Sequence, residues 1–174
     1  LPSNSQVNKQ GNVYNITGGT KAGNNLFHSF EKFSVPNGGE AYFNNPVEIQ
    51  NIINRVTGKS ISEINGLIRA NGTANLFLIN PNGIVFGENA MLDIGGSFLG
   101  STADSFKFND GKEFSSINPD DKPLLSINIP LGLQYGNNPG NIEIKGKGET
   151  QRNTPEVFEP KSGLQVPLDK TLAL

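Results

Sequence analysis

The stretch Asn71-Gly-Thr-Ala-Asn-Leu-Phe-Leu-Ile-Asn-Pro-Asn-Gly-Ile-Val-Phe-Gly87 joins two apolar runs through a four-residue turn, Asn80-Pro81-Asn82-Gly83. Pro81 sets φ at roughly −65° in the second turn position, the Asn80 side chain can hydrogen-bond forward to the backbone, and Gly83 is free to leave at an unusual φ. Neither Leu76 to Ile79 nor Ile84 to Phe86 alternates apolar with polar residues. Runs of that kind are strands buried on more than one side. A regular turn between two such strands predicts a stacked β architecture.

Working outward, apolar clusters near Leu67-Ile68, Leu76 to Ile79, Ile84 to Phe86 and Leu92 to Ile94 follow one another about every eight residues, separated by Asn, Gly and Pro. Evenly spaced short strands mean a sandwich, a barrel or a solenoid. Three such strands per turn would make a solenoid coil in the low twenties of residues. A β-solenoid accounts for the most features together, because its interior takes apolar residues from every strand and its corners need Gly or Asn. Asparagines at equivalent corners can also stack in hydrogen-bonded ladders.

Before this region, Val7, Val13, Tyr14 and Ile16 predict a hairpin around Lys9-Gln-Gly-Asn12, and Phe27, Phe30, Phe33 and Val35 gather aromatics. This part reads as a cap, since an open solenoid end exposes strand edges and core. Ile49, Ile52, Ile53 and Val56 match a helical face, whereas their β-branched side chains and Gly58 favour a strand, and periodicity leaves both open. Beyond Phe106 the chain turns polar, through Asn109-Asp-Gly-Lys and Asn118-Pro-Asp-Asp, and reads as a hairpin or loop leaving the stack. Leu124 to Ile129, Leu131 to Tyr135 and Asn141 to Lys145 read as further strands, with Gly136 to Gly140 as a turn. Gly163 to Leu174 alternates Leu164, Val166 and Leu168, and its uncapped finish predicts a piece of a longer protein.

At 174 residues the chain has room for one domain with a real core. A net charge of −2 with scattered Lys and Arg gives no electrostatic basis for binding nucleic acid or an anionic membrane. Only 17% of residues are charged while Gly numbers 21, a bias toward turns rather than helices. No run approaches the roughly 18 apolar residues of a membrane span. The first residues lack the regions of a signal peptide, so one removed before residue 1 is expected. Absence of cysteine fits a cytosolic protein and a protein crossing a pore unfolded equally well.

Candidates for chemistry are few. His28 is the only histidine, which leaves a metal site or a Ser-His-Asp arrangement little to work with and makes a structural role the stronger reading. Asp120 and Asp121 could bind calcium with Asp110 or Glu113, but the ligand spacing of calcium loops is missing. A polysaccharide-cleaving β-helix would need a carboxylate pair beside a basic residue, from Glu88, Asp93 and Asp104 with Arg55, Arg69 or Arg152. Solvated coil corners explain those charges better. Gly95-Gly96 lacks the flanks of a phosphate-binding loop. No enzyme activity, cofactor or metal is expected.

Five blocks in order carry a more specific signal: Leu26 to Val35 (LFHSFEKFSV), Ala41-Tyr-Phe-Asn-Asn45, Ile49 to Gly58 (IQNIINRVTG), Ile64-Asn-Gly-Leu-Ile68 and Asn80-Pro-Asn-Gly-Ile84. From about residue 7 onward the chain resembles the N-terminal secretion domain of two-partner secretion exoproteins, the filamentous haemagglutinin family. Gly95 to Asp104 is most similar to the cyanobacterial branch. The resemblance implies an all-β fold, a right-handed parallel β-helix with an N-terminal cap and extra-helical β elements, with residues 1–174 as a single domain at the start of a longer exoprotein. It makes Ile49 to Val56 a strand and maps the family's secretion motif onto Asn80, Pro81, Asn82 and Gly83.

Its implied partner is an outer-membrane TpsB transporter, a β-barrel whose periplasmic POTRA domains capture the chain. Its implied place is outside the cell or on the surface of a Gram-negative-type bacterium, reached through the periplasm. The domain itself is expected to be monomeric and not to insert in the membrane. Two departures stand out: the companion Asn-Pro-Asn-Leu motif of relatives is replaced by Asn45-Pro-Val47, and their cysteine pair is absent near Gly87 to Ala90. The rival reading, from a different class, is an adhesin or glycan-binding module, with Tyr42, Phe43 and Tyr135 as its candidate exposed aromatics.

Overall fold

The computed structural model describes residues 1, 3–119, 125–146 and 163–174. Its described residues form strands and turns without a helix. The chain opens with the predicted hairpin, β1 (Ser5–Gln10) and β2 (Val13–Gly18), turning at Gly11 with φ of 58°. A short β3 (Thr20–Ala22) pairs antiparallel with β4 (Asn25–Phe30). Then follow β5 (Glu40–Phe43), β6 (Asn51–Val56), β7 (Ser62–Ile64), β8 (Leu67–Ala70), β9 (Asn75–Ile79), β10 (Ile84–Phe86), β11 (Met91–Asp93) and β12 (Phe98–Ser101).

These strands wind into a parallel β-solenoid of about three turns. One face is β1-β2-β5-β8-β11, a second is β3-β4-β6-β9-β12, and a third holds β7 and β10. Sequence offsets between paired residues run from 22 (Leu76 with Phe98) through 24 (Asn51 with Asn75) to 27 (Glu40 with Leu67). The coil therefore matches the low-twenties estimate and lengthens toward the N-terminus. Of the segment Ile49 to Val56, Asn51–Val56 forms strand β6, with all six residues buried, and Ile49 and Gln50 precede it outside the strand. A strand covered on both faces shows no polar alternation, which is why its periodicity was ambiguous.

Inside the coil lie Leu26, Phe30, Ile52, Val56, Leu76, Leu78, Ile84, Phe86 and Phe98 with their neighbours. The aromatic group read as one cluster divides between two cores. Phe30 and Phe33 point inward, with ring centroids 5.3 Å apart. Phe27 faces out, where alternation along β4 sends it.

A second layer covers that outer face. It consists of β13 (Ser105–Phe108), β14 (Glu113–Ser115) and β15 (Pro130–Gln134), an antiparallel sheet that leaves the stack after β12 as the polar segment predicted. Phe106, Phe108 and Phe114 pack on Phe27, Ile53 and Ile79. Each fully buried Phe or Ile contributes roughly 1.5–3 kcal/mol, against about 1 kcal/mol for a typical hydrogen bond. The two apolar layers therefore dominate stability, and polar corners set register.

The chain returns to the stack in β16 (Ile142–Ile144), parallel to β10, and in β17 (Leu172–Ala173), parallel to β12. One expected strand is corrected: Leu125 to Ile129 is irregular, and Leu124 lies outside the described residues. Its backbone carbonyls explain the irregularity, because those of Ser126 and Asn128 turn toward Asn25 instead of a neighbouring strand.

The asparagine ladder exists. Asn25 donates to those two carbonyls, Asn51 donates to Asn25 at 2.9 Å, Asn75 to Asn51 at 2.9 Å, and the Ser97 backbone N–H donates to Asn75 at 2.9 Å. Four successive coil corners are thus tied in one register.

Candidate functional site

The Asn80–Gly83 segment is a closed turn in which Gly83 N–H donates to the Asn80 carbonyl at 3.1 Å. Asn80 is wholly buried. Its side-chain carbonyl accepts the Asn82 backbone N–H at 3.0 Å, the forward bond read from sequence, and also the Asn82 amide at 2.9 Å. Its own amide reaches back one coil, to the Ser60 carbonyl at 3.0 Å and Ser62 Oγ at 2.9 Å. Its backbone N–H donates forward one coil, to the Ser101 carbonyl at 3.0 Å.

The other three residues extend this bracing. Asn82 is exposed, yet its amide donates to the Gly58 carbonyl at 2.8 Å. The Pro81 carbonyl accepts Gly140 N–H at 2.8 Å, and the Asn141 carbonyl accepts Ile84 N–H at 3.0 Å. Gly83 sits at φ of 130°, a conformation that L side chains rarely adopt, and a Cβ there would also come within 3.1 Å of the Asn141 carbonyl. The turn is therefore wedged between an earlier segment, 58–62, and a later one, 140–141. Sequence reading found the turn but missed these partners, which lie about twenty or sixty residues away. The one available signal was Gly140 after Asn138-Pro139, which marks a backbone that must approach something closely.

The family model described as a TPS secretion domain matches residues 1–174. The chain belongs to the TPS secretion domain family. A 72-residue stretch is 35% identical to a heme/hemopexin-binding protein of Haemophilus influenzae; it is 41% of this chain and 7% of that relative. No solved structure matches. Membership makes the TPS domain the targeting part of a secreted exoprotein of a two-partner system, with a TpsB-type transporter as its general partner. No helix among the described residues is long and apolar enough to cross a membrane.

The remaining candidates are dispersed through the TPS domain. His28 is buried inside the first coil, with Ser5 Oγ 2.9 Å from Nδ1 and Phe30 stacked 5.8 Å away. Burial holds its imidazole down at about 4. Asp110 pairs with Lys112 and accepts Ser126 Oγ, and Glu113 is held below its usual range by Lys107 and Ser105. Asp120 and Asp121 lie outside the described residues. No group of three potential metal ligands occurs among the described residues.

Arg55 is buried against the second layer, donating to the Ser115 and Pro119 carbonyls and lying 4.4 Å over the Phe114 ring. Arg69 binds Glu40 at 2.5 Å on the outer solenoid face, and Asp93 follows it in register. Both Arg69 Nε and a terminal nitrogen go to one Glu40 oxygen, while the guanidinium covers Tyr42 at 4.0 Å. This arginine is engaged as a surface staple. Arg152 is outside the described residues.

The three aromatics proposed for glycan contact do not form one exposed patch. Phe43 is buried in the core, Tyr42 lies beneath Arg69, and Tyr135 binds Ser101 at 2.8 Å beside the second layer. The exposure expected of Phe43 is corrected by strand alternation: β5 turns Ala41 and Phe43 inward and Glu40 and Tyr42 outward.

Proposed function

We propose that the domain directs export by presenting strand-forming segments to the POTRA domains of a TpsB transporter, and that it nucleates the exoprotein's β-helix once outside. The carrying observation is the bracing of Asn80–Gly83 between earlier and later segments. A turn whose bonds require neighbouring coils is completed only as the stack grows. Extended segments can meanwhile be held by main-chain pairing. Each added coil buries more apolar surface, which opposes return through the pore.

In this reading the Asn80 motif acts through structure, since the buried Asn80 side chain spends its donors and acceptor on the fold. The domain works as a non-enzymatic monomer that neither inserts in the membrane nor binds nucleic acid. Its route is the periplasm, after a signal peptide has been removed. The test is secretion of an exoprotein with this domain intact or deleted, with and without the transporter. Export should require both. Undiminished export without the domain would refute the reading.

A further inference from the structure

Four Asn-Gly pairs occur in the chain, at Asn37-Gly38, Asn65-Gly66, Asn71-Gly72 and Asn82-Gly83. The pairing is chemically labile, because glycine carries no side chain to hinder attack by its own backbone nitrogen on the amide carbon of the preceding asparagine. The attack requires the asparagine side chain to swing over that nitrogen. Whatever holds the side chain or the nitrogen elsewhere slows it.

Three of the pairs are held. Asn82 donates its amide to the Gly58 carbonyl at 2.8 Å and to Asn80 Oδ1 at 2.9 Å, and Gly83 N–H is committed to the Asn80 carbonyl. Asn71 donates to the Asn45 carbonyl at 2.9 Å and to Asn44 Oδ1 at 3.1 Å, and it accepts the Tyr42 hydroxyl at 2.7 Å. Asn65 Oδ1 accepts Asn89 N–H at 3.0 Å, and its side chain packs against Gly87. Gly66 is buried, and a Cβ there would come within 2.5 Å of the Pro36 carbonyl.

Asn37 differs on each count. Asn37 and Gly38 are both exposed, and among the described residues neither the Asn37 side chain nor Gly38 N–H makes a hydrogen bond. Their turn is closed by one bond, from Gly39 N–H to the Pro36 carbonyl at 2.9 Å. Gly38 has φ of 70°, and the space that a Cβ would take is open.

We propose that Asn37 is a site of spontaneous deamidation in the folded domain, and that folding closes the same reaction at Asn65, Asn71 and Asn82. Water is the sole co-reactant. The Gly38 nitrogen bonds to Asn37 Cγ, the Cγ–Nδ2 bond breaks, and the amide nitrogen leaves as ammonia with the proton that Gly38 gave up. Water then opens the cyclic imide. Cleavage at Cγ leaves aspartate, and cleavage at the main-chain carbonyl leaves isoaspartate, with the backbone routed through the former side chain. Either product adds a negative charge to a chain of net charge −2. Isoaspartate also lengthens the corner between β4 and β5 by one methylene. That corner touches the next coil, where the Gly39 carbonyl accepts Leu67 N–H at 3.0 Å.

The test incubates the 174-residue chain at mildly alkaline pH, folded and in guanidinium chloride. Each Asn-Gly peptide is followed by mass spectrometry with fragmentation that separates aspartate from isoaspartate. Two ordinary hydrogen bonds that must break first slow the attack about thirtyfold. Asn37 should therefore convert about thirtyfold faster than Asn71 and Asn82 in the folded chain, and also faster than Asn65. In denaturant all four should convert at similar rates. Asn37→Gln should remove the main conversion of the folded chain. The separated isoaspartate form should lose amide protection at Leu67, which Asn37→Asp, carrying the charge alone, should keep. A folded chain in which Asn37 retains its amide, or in which Asn71 or Asn82 converts as fast, overturns the proposal. So does a ratio between Asn37 and Asn82 that denaturant leaves unchanged, since the fold would then play no part. Equal Leu67 protection in both forms overturns the effect assigned to the lengthened corner.

Discussion

Two Asn-Pro turns close coil corners in this domain, and they are built differently. At Asn80-Pro81-Asn82-Gly83 each residue contributes a bond or a conformation that the neighbouring segments depend on. At Asn45-Pro46-Val47-Glu48 only the first residue does so from a buried position, and the other three are exposed. Asn45 is buried and exchanges hydrogen bonds with the backbone of Asn71, and the turn closes when Ile49 N–H donates to the Pro46 carbonyl. Val47 is 79% exposed, and Glu48 reaches out to Lys21. An Asn before Pro is thus enough to staple one coil to the next. The second Asn and the Gly are what let a turn hold both an earlier and a later segment. In this chain Asn45 staples one coil to the next, while the positions after Pro46 face solvent.

The contrast is sharpest at the glycines packed on each turn. A Cβ on Gly140 would come within 2.3 Å of the Asn82 backbone. Gly140→Ala should cost up to about 3 kcal/mol and release Ile142–Ile144 from Ile84–Phe86, seen as lost amide protection in those strands. Unchanged protection would mean that the later segment does not lean on the motif turn.

Acidification supplies a background common to both turns. His28 titrates at about 4 in the fold and near 6.5 unfolded, so the unfolded chain takes up the proton first as pH falls. Stability should drop between about pH 6.5 and 4 by about 3 kcal/mol and then level off for this group. Glu113, also depressed in the fold, adds a loss of the same sign as pH falls through the carboxylate range. Denaturant titrations across this range check it, and His28→Gln should flatten the upper part of the slope.

Gly72, beside the second turn, has φ of 65° but only ordinary contacts with Val47. Gly72→Ala should therefore cost about 1 kcal/mol, from backbone conformation alone. Smallest of all, Val47→Thr should stay within about 0.5 kcal/mol. A large effect there would erase the distinction between the turns.

Much of the solenoid was legible because its signals are local. The Asn80 turn, the hairpin at Gly11 and the spacing of Leu67, Leu76, Ile84 and Leu92 each depend on a few adjacent residues. The outer layer was legible as a hairpin leaving the stack and a strand at Leu131, but its packing on the coil was not, nor was the strand character of β6. Arg55 finds its carbonyls 60 and 64 residues later and Asn25 finds Ser126 101 residues later, separations that leave no periodic trace. Burial of β6 on both faces also removed the alternation that separates strand from helix. The run after Leu124 misled in the opposite sense. Its apolar residues read as strand, but Ile127 and Ile129 are exposed while the backbone serves Asn25.

The central claim is that Asn80 acts in secretion through the fold, and Asn80→Ala tests it most directly. Removing its buried side chain strands the Ser60 carbonyl, Ser62 Oγ and the Asn82 N–H, which should cost about 3 kcal/mol and lower Tm by roughly 10 °C. Tm of the purified domain and export with its transporter are measured on the same variant. The account predicts that both fall together. A variant that melts like the parent and is no longer exported would contradict it, and would mean that the transporter reads the asparagine itself.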